Sequence, residues 1–285
     1  MSCDDRFEHF KPEWCPGCGN FEILESLKQA LCDLEMTAKD FIMVSGIGQT
    51  AKLGFSIKCN MFDGLHGRTL PLALGVKLAN HETKVIAVSG DGGMYAEGGN
   101  HFIHNARRNL DAAVIAGHNR VYGLTKGQAA PTSGADFTSK VHPEGTGSAP
   151  VNPMLLALTS GATYVARGFS GNGAQLTGLL KGALQHRGFA LVDVLFPCIS
   201  FNKVNTFAWF KERVQPIPDD HDPADFDAAM KLAAKGDDEL PTGLFYKGER
   251  AVFADQLSAL KAGPIAVRTA EYTPERVRPL LEFYK

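Results

Sequence analysis

No stretch of this sequence approaches the ~18 uninterrupted apolar residues that a membrane-spanning helix needs, so no membrane partner is expected. An excess of one charge is missing too. The 29 Lys and Arg against 31 Asp and Glu give a formal net charge of −2, which argues against a nucleic-acid partner, whose electrostatic footprint is a basic face. The first thirty residues hold Asp4, Asp5, Glu8, Glu13 and Glu22 and no apolar run, so no secretory signal is read there and a cytoplasmic protein is expected. Internal repeats and low-complexity tracts are also absent. With 44% apolar residues in 285, disorder is excluded, because a chain of this length can bury roughly 75% of its unfolded surface.

Glycine and cysteine are what the chain does have. Its 30 glycines exceed the average share of about 7% and imply backbone positions that need positive φ or close approach to a ligand. The cysteines are Cys3, Cys15, Cys18, Cys32, Cys59 and Cys198. Reduced intracellular thiols are poor disulfide material, so metal or redox chemistry is the better expectation. Cys3 and Cys32 have no partner at useful spacing; Cys32 reads as helix packing and Cys3 as part of a mobile terminus.

Nearly continuous apolar runs at 41–44, 85–88, 113–116, 163–165 and 190–195 read as buried parallel strands. Helical stretches lie between them: Leu24, Leu27, Leu31 and Leu34 mark one, Pro71 starts another, and Leu176, Leu179, Leu180 and Leu184 share a face in a third. The alternation predicts an α/β fold, a parallel sheet with helices on both faces. Unusual residues follow directly on the runs: Gly46-Ile47-Gly48, Gly90-Asp91-Gly92-Gly93, His118-Asn119 and Pro197-Cys198. Ligands of open α/β sheets bind beyond the carboxyl ends of the strands, so this placement predicts one site. From about Asn202 the pattern breaks at Pro216, Pro218, Asp219, Asp220, Asp222 and Pro223. Residues 1–206 therefore read as the ligand-binding domain, and 207–285 as a C-terminal arm or subdomain that covers a sheet edge or docks a partner.

Asp91 and Asn119, ending adjacent strands, offer two oxygens to a Mg2+ ion, and the Val121 carbonyl offers a third; phosphate oxygens and water would complete the octahedron. The neighbouring glycines let backbone N–H groups approach those phosphates. Cys15-Pro16-Gly17-Cys18 places two thiolates where they can grip one metal or cluster, with Cys59 and Cys198 completing four. Structural zinc is an alternative. A thioredoxin-like redox pair is a weaker one, because that fold needs a strand ahead of the motif.

Together and in order, Trp14-Cys15-Pro16-Gly17-Cys18-Gly19, Ser45-Gly46-Ile47-Gly48, Leu65-His66-Gly67-Arg68, Gly90-Asp91-Gly92 with Asn119, and Tyr122-Gly123-Leu124-Thr125-Lys126-Gly127-Gln128 resemble one family. It is the β subunit of thiamine-diphosphate-dependent 2-oxoacid:ferredoxin oxidoreductases, matched over roughly residues 12–200. The resemblance implies a thiamine-diphosphate-binding fold in residues 1–206, with a 4Fe–4S cluster beside the cofactor. It assigns Asp91, Asn119 and Val121 to Mg2+. Gly92, Gly93, Gly123 and Leu124 fall to the diphosphate, and Ile47, Gly48, Gln49 and Thr50 to the loop beside the thiazolium and aminopyrimidine. It turns His66 toward the cofactor and sets Leu124 and Lys126 near the substrate, where a lysine suits the second carboxylate of 2-oxoglutarate. Cys15, Cys18 and Cys198 match three cluster ligands. The family's remaining cysteine directly follows Gly-Ile-Gly, where this chain has Gln49; Cys59 is the expected substitute, and otherwise the fourth position is open or its ligand is not a cysteine.

The implied reaction joins a 2-oxoacid and coenzyme A into acyl-CoA and CO2, with electrons leaving for ferredoxin. The Glu that thiamine enzymes use belongs to an α subunit in this family, so an αβ pair, doubled into a dimer of such pairs, is expected. Pyruvate or a branched 2-oxoacid is the alternative substrate, and a non-catalytic zinc or iron–sulfur scaffold the alternative class.

Overall fold

A computed structural model describes residues 3–268 and 273–283, so parts of the segment 207–285 lie outside the described residues. In chain order the strands are β1 (Phe41–Ser45), β2 (Asn60–Asp63), β3 (Lys84–Gly90), β4 (Ala112–His118), a small hairpin of β5 (Val121–Tyr122) and β6 (Gln128–Ala129), then β7 (Tyr164–Phe169), β8 (Phe189–Leu195), β9 (Val214–Pro216) and β10 (Leu240–Lys247). Apart from the hairpin they form one eight-stranded sheet in the order β2-β1-β3-β4-β8-β7-β10-β9. All its pairings are parallel except that of β10 with β7.

The helices are α1 (Cys3–Phe7), α2 (Asn20–Asp33), α3 (Leu53–Ser56), α4 (Thr69–Ala79), α5 (Gly99–Arg108), α6 (Pro153–Thr159), α7 (Gly173–Gln185), α8 (Phe207–Arg213), α9 (Phe226–Ala233) and α10 (Pro274–Phe283). Successive side chains of a strand point to opposite faces, and both faces are covered here. Ile86 and Val88 pack with Leu27 and Leu31 of α2 and Leu180 of α7, whereas Val85 and Ala87 pack with Leu70 of α4, Phe102 of α5 and Met154 of α6. Burial on both sides is why these strands read as unbroken apolar runs. Among the described residues no helix is long and apolar enough to cross a membrane.

Three strands differ from the sequence reading. The four-residue β2 sits at the sheet edge and is largely exposed, so hydrophobicity does not mark it. In β10, Pro241 and Gly243 weaken the strand signal, yet Phe245 is fully buried against the core. Short β9 owes its strand to β10 alongside it. The chain beyond residue 206 thus lays β10 and β9 along the β7 edge of the sheet. Helix α4 also starts at Thr69, ahead of Pro71, whose missing N–H falls in the first turn and costs no helical bond.

The reading of Cys3 and Cys32 is corrected. They form a disulfide across a separation of 29 residues, with Cα atoms 5.9 Å apart. Helix α1 is short, but Phe7 is buried beside α2, and this docking brings two distant cysteines within bonding reach. Spacing along the chain carries no trace of that contact.

Candidate active site

Strands β1, β3, β4 and β8 are successive neighbours, and their carboxyl ends carry the four unusual segments to one edge. The ends are tied together: Gly46 N–H donates to Val88 O (3.3 Å) and Phe196 N–H to His118 O (3.1 Å). Beyond β3 the chain enters a π-helical turn, Gly92–Ala96, with Asp91 as its cap. Asp91 is 3% exposed. Its Oδ1 accepts from Gly92 N–H (2.9 Å), and its Oδ2 from Arg120 N–H (2.8 Å) and Thr132 Oγ1 (2.6 Å). Burial pushes its carboxyl up, against the opposing pull of His118 and these donors. A divalent cation beside this carboxylate would relieve that cost, so the residues fit Mg2+.

A cleft of about 460 Å³ opens beside Asp91. Ile47, Gly48, Gln49 and Thr50 wall one side, Gly92 and Gly93 another, and Asn119, Val121, Gly123, Leu124 and His66 complete it. The structure therefore gathers the residues expected around magnesium, diphosphate and thiamine rings. Gly48 takes φ +126°, and a Cβ there would meet nothing within 4 Å. Gly92 carries the Tyr122 ring so closely that a Cβ would stand 2.1 Å from it. Glu97 organises the rim: Tyr122 donates its hydroxyl to Oε1 and Oε2 (3.1 and 3.0 Å), and His66 Nδ1 lies 3.2 Å from Oε2. Burial, then Glu97, raises the Tyr122 phenol, which stays a donor.

Behind the cleft lies a second pocket, partly open to solvent, lined by Cys15, Cys18 and Cys198. The Pro16-Gly17 turn, with Gly17 at φ +82°, closes on a Cys18 N–H to Cys15 O bond of 2.9 Å and brings the first two together. Burial raises the Cys18 thiol, and Cys198 and Cys15 add to it by repulsion, so the three sulfurs sense one another. Ser200 Oγ donates to Cys15 Sγ (3.1 Å) and Asn20 Nδ2 to Cys18 Sγ (3.5 Å). Such donors stabilise thiolates and tune a cluster. Among the described residues no three His, Cys, Asp or Glu side chains converge closely enough to hold a metal ion. Gln49, Asn119 and Gly123 line both cavities, and a Cβ on Gly123 would stand 3.6 Å from Cys198 Sγ.

Two expected residues stand apart. Cys59 precedes β2, whose Asn60 pairs with Ile42, so it lies at the amino end of the sheet. At about 3.3 Å per residue this is at least ~10 Å from the carboxyl edge. It packs half-buried against the core, and burial pushes its thiol up to about 11, opposed by a backbone hydrogen bond from Met43. The structure does not bring it to Cys15, Cys18 and Cys198, which corrects its expected place as their fourth partner. Lys126 takes φ +74° in the β5–β6 loop and is exposed, lining neither cavity.

Sequence alone does not single out Glu97, Thr132, Asn20 or Ser200. Asn20 and Ser200 lie next to cysteine motifs, and Glu97 lies shortly after Gly90-Asp91-Gly92, so proximity is the available signal. Thr132 has none. A buried network also underlies the edge: Asp193 Oδ2 contacts His118 Nδ1 and Arg167 Nε (both 3.0 Å), and Oδ1 accepts from Tyr95 (2.9 Å). Burial pushes the Asp193 carboxyl up, but His118, Arg167 and Tyr95 outweigh it and hold it at about 2. From the C-terminal segment, Asp237 grips the Arg120 guanidinium at 2.6 and 2.5 Å, and the Trp209 ring lies 4.9 Å from it. Arg120, at φ +60° between Asn119 and Val121, is thereby held in place.

Residues 47–194 match the family described as thiamine pyrophosphate enzyme, C-terminal TPP binding domain, and residues 198–262 match the family of the C-terminal region of the pyruvate ferredoxin oxidoreductase beta chain. The class is that of thiamine-diphosphate-binding proteins. The chain is 39% identical over 276 residues to 2-oxoacid:ferredoxin oxidoreductase 2, subunit beta, of Aeropyrum pernix, covering 91% of this chain and 89% of that one. It is 40% identical over 199 residues to 2-oxoglutarate oxidoreductase subunit KorB of Mycobacterium tuberculosis, covering 70% and 53%. The structure of 2-oxoglutarate:ferredoxin oxidoreductase from Magnetococcus marinus, with 2-oxoglutarate, coenzyme A and succinyl-CoA bound, superposes with a TM-score of 0.91 at 36% identity over 98% of this chain and 96% of that one. The chain belongs to the β subunits of the 2-oxoacid:ferredoxin oxidoreductases, and so is one part of an oxidoreductase complex with an α-subunit partner.

Proposed function

We propose that this subunit, paired with its α subunit, oxidatively decarboxylates 2-oxoglutarate with coenzyme A and delivers the electrons through a 4Fe–4S cluster to ferredoxin. The observation that carries the reading is the wall shared by the two cavities, formed by Gln49, Asn119 and Gly123. Thiamine diphosphate, when bound, supplies the carbon nucleophile and electron sink for such a reaction. Asp91, Asn119 and the Val121 carbonyl would hold its Mg2+, and Gly92, Gly93, Gly123 and Leu124 its diphosphate. Ile47, Gly48, Gln49 and Thr50 would flank its rings. Glu97 accepts from the Tyr122 hydroxyl and lies beside His66 at the rim, holding both side chains at the cleft mouth. Cys15, Cys18 and Cys198 would hold the cluster on the far side of the same wall, close enough for electron transfer.

The preference for 2-oxoglutarate is supported by the substrates named for the Mycobacterium and Magnetococcus relatives. Lys126, exposed on its loop, is available to the substrate's second carboxylate once the partner covers the site, with Leu124 beside it. The α subunit supplies the missing Glu, and two αβ pairs form the working assembly. The test is anaerobic co-purification of the αβ complex, followed by viologen reduction with coenzyme A against a panel of 2-oxoacids. 2-Oxoglutarate is expected to give the highest kcat/KM, with Lys126→Ala raising its KM far more than that of pyruvate. Preference for pyruvate, or equal effects on both, overturns the substrate assignment.

A further inference from the structure

The cysteine cavity has three thiols and no fourth among its lining residues. Cys59 is at the other end of the sheet, half-buried against the core and away from the cavity. Gln49 instead lines the cavity beside Cys15, Cys18 and Cys198. Its backbone is fixed: it caps the short helix Thr50–Lys52 at φ −69°, and its carbonyl accepts from Trp14 Nε1 at 3.0 Å. Trp14 is itself buried, edge-on to Phe21. Gln49 Oε1 is buried without a hydrogen-bond donor. An unpaired buried amide oxygen is destabilising, and an iron ion in the cavity would satisfy it. Asn20 Oδ1 is also unpaired, but the Asn20 amide is already committed through Nδ2 to Cys18.

We propose that Gln49 forms the fourth corner of the Cys15–Cys18–Cys198 cavity, leaving one iron of the cluster without a cysteine ligand. This rests on the cluster reading above and deepens it. A neutral amide oxygen or water is a harder and weaker ligand for cluster iron than a thiolate, so this iron exchanges while the other three stay. One-electron oxidation by ferricyanide would convert 4Fe–4S(2+) to 3Fe–4S(1+), releasing Fe2+ and passing the electron to ferricyanide. Gln49 also lines the thiamine cleft. With three thiolates instead of four, the site carries one negative charge less, which raises its reduction potential.

The test uses the anaerobically purified αβ complex as wild type, Gln49→Cys and Cys59→Ser. Ferricyanide is expected to remove about a quarter of the iron from wild type, with the EPR signal of a three-iron cluster, and added Fe2+ to restore it. Gln49→Cys is expected to retain all its iron and to show a lower midpoint potential. Cys59→Ser should match wild type in iron content and spectrum. Iron loss in Cys59→Ser, or the same lability and potential in Gln49→Cys as in wild type, overturns the assignment. A measurement without a variant guards against misfolding: after iron-57 is exchanged into wild type, Mössbauer spectra should show one distinct iron, and label spread evenly over all irons overturns it. Absence of both iron and sulfide from wild type and Gln49→Cys alike would instead bring down the cluster reading itself.

Discussion

The carboxyl edge of the sheet and the region around α1, α2 and the start of β2 use the same residue type in opposite ways. At the edge, Cys15, Cys18 and Cys198 surround a cavity and receive hydrogen bonds from Ser200 and Asn20. On the other side, Cys3 and Cys32 are joined and Cys59 fills a gap against the core. The edge also holds buried polar atoms without partners, such as Gln49 Oε1 and Asn20 Oδ1, and left-handed residues such as Arg120 and Lys126. Such features cost stability and persist where ligands or a partner compensate. The lesson is that a cysteine's neighbours, rather than its presence, determine whether it is a ligand, a staple or packing.

If this division holds, substitutions at the edge should weaken cofactor binding and spare the fold, while those in the other region do the reverse. The largest effect belongs to Asp91→Asn, which keeps an acceptor for Arg120 N–H and Thr132 but loses the charge. Thiamine diphosphate affinity of the αβ complex in Mg2+ should fall by more than the ~100-fold that follows loss of a residue orienting a metal ligand. Calorimetric titration measures this; unfolding instead of lost affinity would break the comparison. Next comes the disulfide. Cys3→Ser should lower the unfolding free energy by about 2–4 kcal/mol in denaturant titration, with iron and cofactor binding unchanged.

Asp193 lies beneath the edge and sharpens the boundary between the two. Its carboxyl is held at about 2 against an ordinary 3.8, so its ionised form favours the folded state. That contribution, about 2 kcal/mol, is full above about pH 4 and is lost as pH falls toward 2. Asp193→Asn should therefore be less stable than wild type near neutrality, with the gap closing on acidification; a constant gap would assign the loss to packing alone. The smallest effect is expected for Glu97→Gln, which loosens Tyr122 and His66 and should weaken thiamine diphosphate binding about 10-fold with little change in Tm.

Much of the edge was legible because strand ends and turn residues are local signals. The runs ending at Val44, Val88 and Ala116 located β1, β3 and β4, and Gly46, Asp91 and Asn119 stood directly beyond them. The C-terminal strands were obscured because Pro241 and Gly243 speak against a strand, and only pairing with β7 overrides them. Glu97, Thr132 and the Asp193 network were obscured for a related reason. Their roles arise from contacts between elements far apart in sequence, such as Thr132 with Asp91 and Tyr95 with Asp193.

The sequence by itself determined the alternation of strands and helices, the glycine and acid–amide pattern at the strand ends, and the thiol pair closed by Pro16-Gly17. Each depends on backbone preferences and side-chain periodicity over a few residues. Only the tertiary structure decided which cysteines share a cavity, which two are bonded, and that Gln49 rather than Cys59 stands beside the trio. Those outcomes depend on how distant strands and helices pack, and no local spacing encodes that distance.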